Sequence, residues 1–279
     1  MFHREPPPEH DLGLAYDLTT LSRRRALKLF AGVGLAGLVG CAPESPTTGS
    51  AATGTDGASS PSASTETDTV ASCEEVPEET VGPYPGDGSN GPNVLTESGI
   101  VRSDIRSSFG SASGTAAGIP LTVTLSLLEQ ANGCAPLAGA AVYLWHCDRE
   151  GRYSLYSEGA MDQNYLRGVQ EADASGQVSF TTIFPACYSG RWPHIHFEVY
   201  PSLAEATSAG SVLRTSQLAF PEDVCALVYA TDGYDQSVRN MAQTSLETDM
   251  VFSDGVDQQL ATMTGDVSPG FTAAFALAV

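Results

Sequence analysis

Residues 190–199, GRWPHIHFEV, decide the fold that this sequence predicts. Beyond the proline, histidines alternate with large apolar residues, which are Ile195, Phe197 and Val199. Successive side chains of a β-strand leave opposite faces. We therefore predict a strand that buries its apolar face in a core and carries His194 and His196 side by side on its other face. Two interpretations of that second face stay open at this point: half of a metal site, or two polar residues facing solvent.

The same alternation recurs upstream in three segments, which are IPLTVTLSLLEQ (119–130), AVYLWHCD (141–148) and GQVSFTTIF (176–184). Gly, Pro, Asp and Asn residues lie between them, which is typical of turns. We predict helix in one stretch, PEDVCALVYATDGYDQSVRN (221–240). Short alternating strands at this spacing predict an all-β fold, an antiparallel β-sandwich with long loops and little helix.

The composition excludes some classes of partner. The chain has 279 residues, of which 33 are Asp or Glu and 13 are Lys or Arg, so its formal net charge is -20. Such an acidic protein has little electrostatic attraction for nucleic acid or for an anionic membrane surface. At 42% hydrophobic residues the chain can bury one sizeable core. We therefore expect no nucleic-acid partner.

The first 41 residues have the pattern of an export signal. SRRRALKLF (22–30) is followed by an apolar run that ends at Cys41 and is too short and too rich in glycine for an ordinary membrane-spanning helix. The segment resembles a twin-arginine signal, and LVGC (38–41) resembles a bacterial lipobox, whose cysteine becomes lipidated. A buried helical hairpin is the alternative. We expect an exported, cell-surface lipoprotein that contacts the membrane only through an N-terminal lipid anchor.

Residues 42–72 are rich in Ser, Thr, Ala, Gly and Pro and cannot bury a core, so we predict a disordered linker there. A single folded domain is then expected over residues 73–279. An exported domain can form disulfides. Its five cysteines are Cys73, Cys134, Cys147, Cys187 and Cys225. We expect Cys134 to pair with Cys147 and Cys187 with Cys225, which leaves Cys73 over.

The chain offers two kinds of metal ligand near the His-x-His strand. Outside the signal region its only histidines are His146, His194 and His196, so a three-histidine zinc site needs all of them. Tyr153 and Tyr188 offer phenolic oxygens instead. A phenol becomes an anionic ligand only where a strong Lewis acid removes a proton whose pKa is normally about 10. Two imidazoles and two phenolates suit ferric iron better than zinc, copper or calcium.

Four motifs in order resemble the catalytic core of the intradiol ring-cleavage dioxygenases. This family includes protocatechuate 3,4-dioxygenase and catechol 1,2-dioxygenase. The motifs are WHCDREGRY (145–153), DASGQVSFTTIFPACY (173–188), GRWPHIHFEV (190–199) and LRTSQLAF (213–220). EETVGPYPGDG (78–88) resembles the segment that leads into the same core. The resemblance covers residues 73–220 well and the C-terminal part more loosely.

The resemblance implies a ligand set for Fe(III): Tyr153, Tyr188, His194 and His196. Tyr188 corresponds to the tyrosinate that a binding catechol displaces, so it also has a catalytic role. His146 is not included in this ligand set, because a lone histidine beside a tryptophan in a strand is more often a core residue whose hydrogen bonds are satisfied.

Two further catalytic residues follow from the resemblance. Arg191 corresponds to an arginine whose charge stabilises the reacting ring, and Gln217 to a glutamine that orients the bound catecholate. The alternative for Arg191 is a surface ion pair with one of the many acidic residues. The implied activity is ring cleavage of a catechol-type substrate with O2 between the two hydroxyl-bearing carbons, which gives a muconate-type diacid. Since a helical dimerisation region is missing from the sequence, we expect a monomer.

Two other classes of function stay open. A non-catalytic β-sandwich binding domain tethered to the surface has the same alternating strands, but it does not need the tyrosines, histidines and Arg191 together. A copper or zinc enzyme built on the His-x-His strand needs another ligand, for which the strand offers Glu198. Colour separates the iron enzyme from these alternatives, because tyrosinate-to-iron(III) charge transfer makes a protein red-brown, whereas zinc or no metal leaves it colourless.

Overall fold

The fold is described from a computed structural model, in which residues 74–279 are placed well enough to describe. The predicted export signal (1–41), the predicted linker (42–72) and Cys73 lie outside the described residues, so these remain predictions. Within residues 74–279 no helix is both long enough and apolar enough to cross a membrane.

Within residues 74–279, nine strands form two sheets. The first sheet has five strands, which are β1 (Pro120–Glu129), β2 (Ala135–Pro136), β5 (Gln177–Ile183), β8 (Thr262–Asp266) and β9 (Gly270–Ala278). The second sheet has four, in the order β4-β3-β6-β7, which are β4 (Arg167–Glu171), β3 (Ala141–Trp145), β6 (His194–Tyr200) and β7 (Arg214–Ala219). Neighbouring strands are antiparallel, apart from β9, which pairs in parallel with β1 along eight residue pairs.

Helix is scarce, as predicted. The α-helices of the described residues are α1 (Leu203–Thr207), α2 (Glu222–Tyr229) and α3 (Asp235–Met241). The last two occupy the stretch 221–240 for which the sequence predicted helix. Acidic residues stand in the first turn of both α2 and α3, where they complement the positive end of the helix dipole.

The core lies between the two sheets. Strand β1 alternates in burial along its length, and its inward side chains are Leu121, Val123, Leu125 and Leu127. They share one hydrophobic cluster with the inward side chains of β6, which are Ile195, Phe197 and Val199. Burying each such side chain contributes about 1.5–3 kcal/mol. The predicted antiparallel β-sandwich is therefore confirmed.

The other face of β6 is also buried, because loops cover it. All seven residues from His194 to Tyr200 are buried. Their outer face contributes to a second apolar cluster that includes Tyr143 and Trp145 from β3 and Tyr153 and Tyr188 from the loops after β3 and β5. The interpretation of His194 and His196 as solvent-facing residues is therefore wrong.

The two predicted disulfides are wrong. Cys147, Cys187 and Cys225 are free, buried thiols. Cys134 is disulfide-bonded, and Cys147 is not its partner. For Cys134 and Cys147 the reason is geometric. Cys134 precedes β3 and Cys147 follows it, and an extended strand separates the Cα atoms at its two ends by about 3.3 Å per residue. A disulfide needs Cα atoms within about 7 Å.

Candidate metal centre

The two histidines of β6 are fixed from both neighbouring strands. His196 pairs with Trp145 on β3 and with Gln217 on β7. The indole of Trp145 stacks on the imidazole of His196, with ring centroids 5.0 Å apart and an interplanar angle of 7°. This stack holds the imidazole at one orientation on the face of the sheet.

The Nε2 atoms of the two histidines face each other at 3.1 Å. Nδ1 of His194 lies 2.5 Å from the carbonyl oxygen of Trp192. A carbonyl only accepts, so Nδ1 carries the proton and Nε2 keeps its lone pair. Burial lowers the pKa of both imidazoles well below the ordinary value. The charge of Arg191 lowers the pKa of His194 further, and the neighbouring His194 and then Arg191 lower that of His196 further. Both rings are therefore neutral, as metal-binding imidazoles must be.

Tyr188 reaches the same point from the loop between β5 and β6. Its hydroxyl oxygen lies 3.2 Å from Nε2 of His194. Helix α3 holds the residue before it: the Cys187 amide donates to Ser237 Oγ at 3.0 Å, and Asn240 Nδ2 donates to the Cys187 carbonyl at 2.8 Å. Helix α3 therefore positions Tyr188 through the backbone.

The Cys187 thiol next to Tyr188 is turned away from the site. It packs in the core between the sheets and donates to the carbonyl of Arg191 at 3.4 Å. Burial raises its pKa to about 12, so the thiol stays protonated. A neutral thiol in the core does not compete as a ligand at the histidine face.

Tyr153 reaches the site from the loop after β3. The carboxylate of Asp148 folds this loop by accepting from the backbone and the side chain of Arg152, at 2.9 and 3.1 Å. Gly151 has φ +85°, and a Cβ there would lie 3.2 Å from the Cβ of Tyr188. The glycine thus lets the two tyrosine loops meet, and the ring of Tyr153 lies 6.0 Å from that of Tyr188 and 6.2 Å from that of His196.

The hydroxyl of Tyr153 has no hydrogen-bond partner although it is buried. Burial, and after it the neighbouring Tyr188, raises its pKa well above the ordinary value of 10.0. A buried hydroxyl without a partner costs about 1–3 kcal/mol. A cation bound by the phenolic oxygen removes that cost, because it replaces the proton and satisfies the oxygen.

These four side chains fit a ferric ion. Two imidazole nitrogens 3.1 Å apart have the spacing of adjacent ligands on one ion, since metal–imidazole bonds are about 2.0–2.1 Å. Phenolic oxygens select a hard, strongly acidic cation, as ferric iron is. Among residues 74–279, no group of three or more His, Cys, Asp or Glu can hold a metal. Glu198 accepts instead from Tyr200 at 2.6 Å and Thr215 at 3.4 Å, which disfavours the copper or zinc alternative.

Arg191 and Gln217 lie beside the histidines and contact each other. The Arg191 side chain is fully buried, which excludes the surface ion pair considered from the sequence. Its Nη2 donates to Gln217 Oε1 at 2.6 Å, and its Nε donates to Asp249 Oδ2 at 3.0 Å. The amide of Gln217 donates in turn to the Thr80 carbonyl at 3.0 Å. The predicted catalytic pair is thus a hydrogen-bonded unit.

His146 is a satisfied core residue, as the sequence reasoning assumed. Its Nδ1 lies 2.8 Å from the Cys147 carbonyl oxygen and its Nε2 lies 2.7 Å from Thr182 Oγ1. Burial lowers its pKa to about 4, so it is neutral. It has no nitrogen left for a metal.

Sequence reasoning missed three residues of this region. Asp249 binds Arg191, and Arg167 is a second fully buried arginine beside the Tyr153 loop. Tyr84 packs on Tyr153 with ring centroids 4.9 Å apart. The motif at 78–88 contains Tyr84 and was a usable signal. No pattern in the sequence marks the other two, because a buried ion or hydrogen-bond hub depends on contacts between distant segments.

Comparison with known proteins identifies the family of this chain. The family model described as Dioxygenase (Dioxygenase_C) matches residues 91–240, more than half of the chain. The solved intradiol ring-cleavage dioxygenase from Tetranychus urticae is 28% identical, with a TM-score of 0.59, and the match covers 74% of this chain and 94% of that one.

Two more solved structures are similar. A second dioxygenase crystal structure is 28% identical with a TM-score of 0.58, over 74% of this chain and 94% of that one. The dioxygenase domain of a dioxygenase–carbohydrate-binding fusion from Streptomyces sp. SirexAA-E is 24% identical with a TM-score of 0.47, over 74% of this chain and 98% of that one. The fold and the family match make this chain an oxidoreductase of the dioxygenase class. Within that class it belongs to the intradiol ring-cleavage dioxygenases.

Proposed function

We propose that the protein uses one ferric ion to cleave catechol-type rings with O2 between the two hydroxyl-bearing carbons, giving muconate-type diacids. The observation that carries this proposal is the convergence of a partnerless phenol, Tyr153, with Tyr188 and two neutral imidazoles in a buried site. The residues that would hold the ion are Tyr153, Tyr188, His194 and His196. A binding domain without catalysis has no use for this set.

The side chains have separate tasks. When bound, the ferric ion supplies Lewis acidity toward both catechol oxygens and makes the ring open to dioxygen without an external reductant. Nε2 of His194 presents a lone pair, because Nδ1 carries the proton, and the neutral ring of His196 would bind the ion through the Nε2 atom that faces it. Tyr188 Oη is the atom that takes a proton from the entering catechol, and its place 3.2 Å from His194 Nε2 supports this role.

Arg191 supplies fixed positive charge. Its guanidinium is buried. Burial raises the pKa of Tyr153 and the Arg191 charge opposes that rise, whereas burial lowers the pKa values of His194 and His196 and the Arg191 charge adds to that fall. Its field thus reaches three of the four proposed ligands. Negative charge that builds on the ring as oxygen attacks is stabilised by such a preorganised group, typically by about 10²–10³ in rate. Gln217 holds Arg191 through Oε1 and faces the substrate from β7 beside His196.

Burial of the site strengthens these electrostatic interactions and keeps water out. The stacked ring of Trp145 forms one wall beside His196, and Tyr84 covers Tyr153. The main-chain amide of Gly86 donates to Tyr156 at 2.9 Å, which holds the 78–88 segment over the Tyr153 loop. Substrate selectivity would then depend on this segment.

The sequence supports further proposals about the whole chain: export by a twin-arginine signal, lipidation at Cys41, a linker over 42–72 and a monomeric catalytic unit over 73–279. A Cys41→Ser variant should move from the membrane fraction to the medium while catechol cleavage continues. Unchanged membrane attachment would contradict the lipid anchor.

Metal content, colour and oxygen uptake test the central proposal. The purified protein should contain one iron per chain, show a visible tyrosinate-to-iron charge-transfer band, and consume one O2 per catechol while a diacid forms. Stoichiometric zinc or copper without a visible band would overturn it. Tyr188→Phe and His194→Ala should each change the band or the iron content.

A further inference from the structure

Asp249 is a buried carboxylate in the segment between α3 and β8, beyond the residues that the family model matches. Its Oδ2 accepts from Arg191 Nε at 3.0 Å and from the backbone amide of Trp192 at 2.6 Å. Its Oδ1 accepts from the backbone amides of Val251 and Phe252, at 2.8 and 3.2 Å. The carboxylate thus joins a C-terminal turn to the start of the His-x-His motif.

The contact with Arg191 fixes the plane of the guanidinium. Asp249 holds it at Nε, and Gln217 holds it at Nη2 from the neighbouring strand β7. The ring of Phe252, in the same turn as Asp249, lies 6.0 Å from the guanidinium carbon. A planar group held at two edges has little rotational freedom, so its charge points in one direction.

The contact with Trp192 reaches one of the proposed metal ligands. Asp249 holds the amide of Trp192, and the carbonyl of the same residue accepts from Nδ1 of His194 at 2.5 Å. The Trp192 indole is anchored as well, because its Nε1 donates to the Phe220 carbonyl at 2.8 Å. Backbone held in this way fixes which His194 nitrogen carries the proton.

We propose that Asp249 is a positioning residue, which aims the Arg191 charge and the Nε2 atom of His194 at the same point in the site. This inference rests on the proposed function, and it makes the C-terminal turn 249–252 part of the catalytic apparatus. Asp249 acts through Arg191 and Trp192. The competing explanation is that the carboxylate only stabilises its own turn.

A double-mutant cycle on the full chain distinguishes these explanations. In Asp249→Asn we expect kcat to fall by about 10–100-fold, with KM nearly unchanged and the charge-transfer band retained. In an Arg191→Met background, the same change should cost a much smaller factor in kcat, because only the path through Trp192 remains. An equal loss of kcat in both backgrounds would overturn the proposal.

Thermal unfolding of the iron-free proteins gives a readout that is independent of activity. Each single variant should melt at a lower temperature than the unmodified protein, because one buried charge loses its partner, and the double variant should recover part of the loss. Additive losses would show that the two side chains are not coupled and would overturn the proposal. If Asp249→Asn does not fold, Asp249→Glu keeps the charge but moves it, and a wild-type kcat in that variant would contradict the role.

Asp173→Asn is the matched control. Asp173 is a carboxylate that accepts from the amides of Ser175 and Gln177, at 2.8 and 3.0 Å, in the turn before β5, at the opposite end of that strand from Tyr188. Its kcat should equal that of the unmodified protein. If the unmodified protein itself does not cleave catechol, the proposed function fails, whereas a failure confined to the Asp249 variants refutes only this inference.

Discussion

Arg167 and Arg191 are both fully buried, yet their surroundings differ in one respect. Arg191 pairs with a carboxylate, that of Asp249. Arg167 forms no ion pair among the described residues and donates instead to neutral oxygens at five contacts. These oxygens belong to Ser154 (side chain and carbonyl), Pro85, Tyr143 and Tyr84.

The difference separates two uses of a buried charge. All five N–H groups of Arg167 donate to oxygens in three chain segments. These bonds connect the 78–88 segment and the Tyr153 loop to strands β3 and β4. Arg191 pairs with the Asp249 carboxylate and lies where its field reaches the proposed ligands. Arg167 therefore assembles the site, and Arg191 provides charge within it. Substitutions at the two positions should have different consequences.

Arg167→Met should have the largest effect, and on stability. It leaves several carbonyl and hydroxyl oxygens buried without a donor, each at a cost of about 1–3 kcal/mol with partial relief by relaxation. We expect the free energy of unfolding to fall by about 3–5 kcal/mol, measured by urea denaturation of the iron-free protein. A loss under 1 kcal/mol would refute its role as the hub of these loops.

Arg191→Ala should act mainly on turnover. Iron content, the charge-transfer band and catechol binding should persist, while kcat falls by about 10²–10³, or ~2.7–4 kcal/mol of transition-state stabilisation. Steady-state kinetics with iron quantified in the same sample measures this change. Turnover of catechol at the unmodified rate would mean that the charge lies elsewhere in the pocket.

Gly151→Ala tests the close approach of the two tyrosine loops that Arg167 and the Asp148 turn stabilise. A side chain at φ +85° costs about 1–2 kcal/mol, and its Cβ presses on Tyr188, so the charge-transfer band should shift. Gly139→Ala is the control: φ there is +78° and nothing lies within 4 Å. It should cost similar stability and leave the band unchanged. Equal spectral changes in both would contradict the contact.

Arg106→Gln gives the baseline for both buried arginines. Arg106 pairs with Asp104 at 2.6 Å, but both side chains are largely exposed, at 42% and 51%. Exposed pairs typically contribute ~0–1 kcal/mol. We expect the free energy of unfolding to change by no more than about 0.5 kcal/mol and kcat to stay the same. A loss of unfolding free energy as large as that of Arg167→Met would show that burial does not explain the large effects at the two buried arginines.

Residue patterns predicted the sheets where strands are half-buried. The alternation in 119–130 and 176–184 led directly to β1 and β5, because burial on one face leaves a period of two. Strand β3 was also predicted, within 141–148, although it is buried on both faces. Strand β9 has the same period in its buried residues and was missed, although the signal was present. Its parallel pairing with β1 could not be predicted, since nothing local specifies a partner 150 residues away.

Part of the candidate site was predicted from family motifs rather than from residue periodicity. The four proposed ligands and Arg191 lie in motifs shared with a known family, and the structure brings them together. The cover over the histidines consists of loops without periodicity, so no local pattern indicated that this face is buried. Asp249 and Arg167 act through contacts between distant segments. The disulfide prediction was wrong because cysteine spacing carries no information on which thiols meet.

The parallel pairing of β9 with β1 has a consequence for the order of events during synthesis. Strand β9 lies inside the first sheet, between β1 and β8, so that sheet lacks an internal strand until the ribosome has made residues 270–278. Pairing between such distant segments is slow, because closing the long loop between them costs conformational entropy before any favourable contact forms. The hydrophobic core that the inward side chains of β6 share with those of β9 is therefore completed only after residues 270–278 have been made.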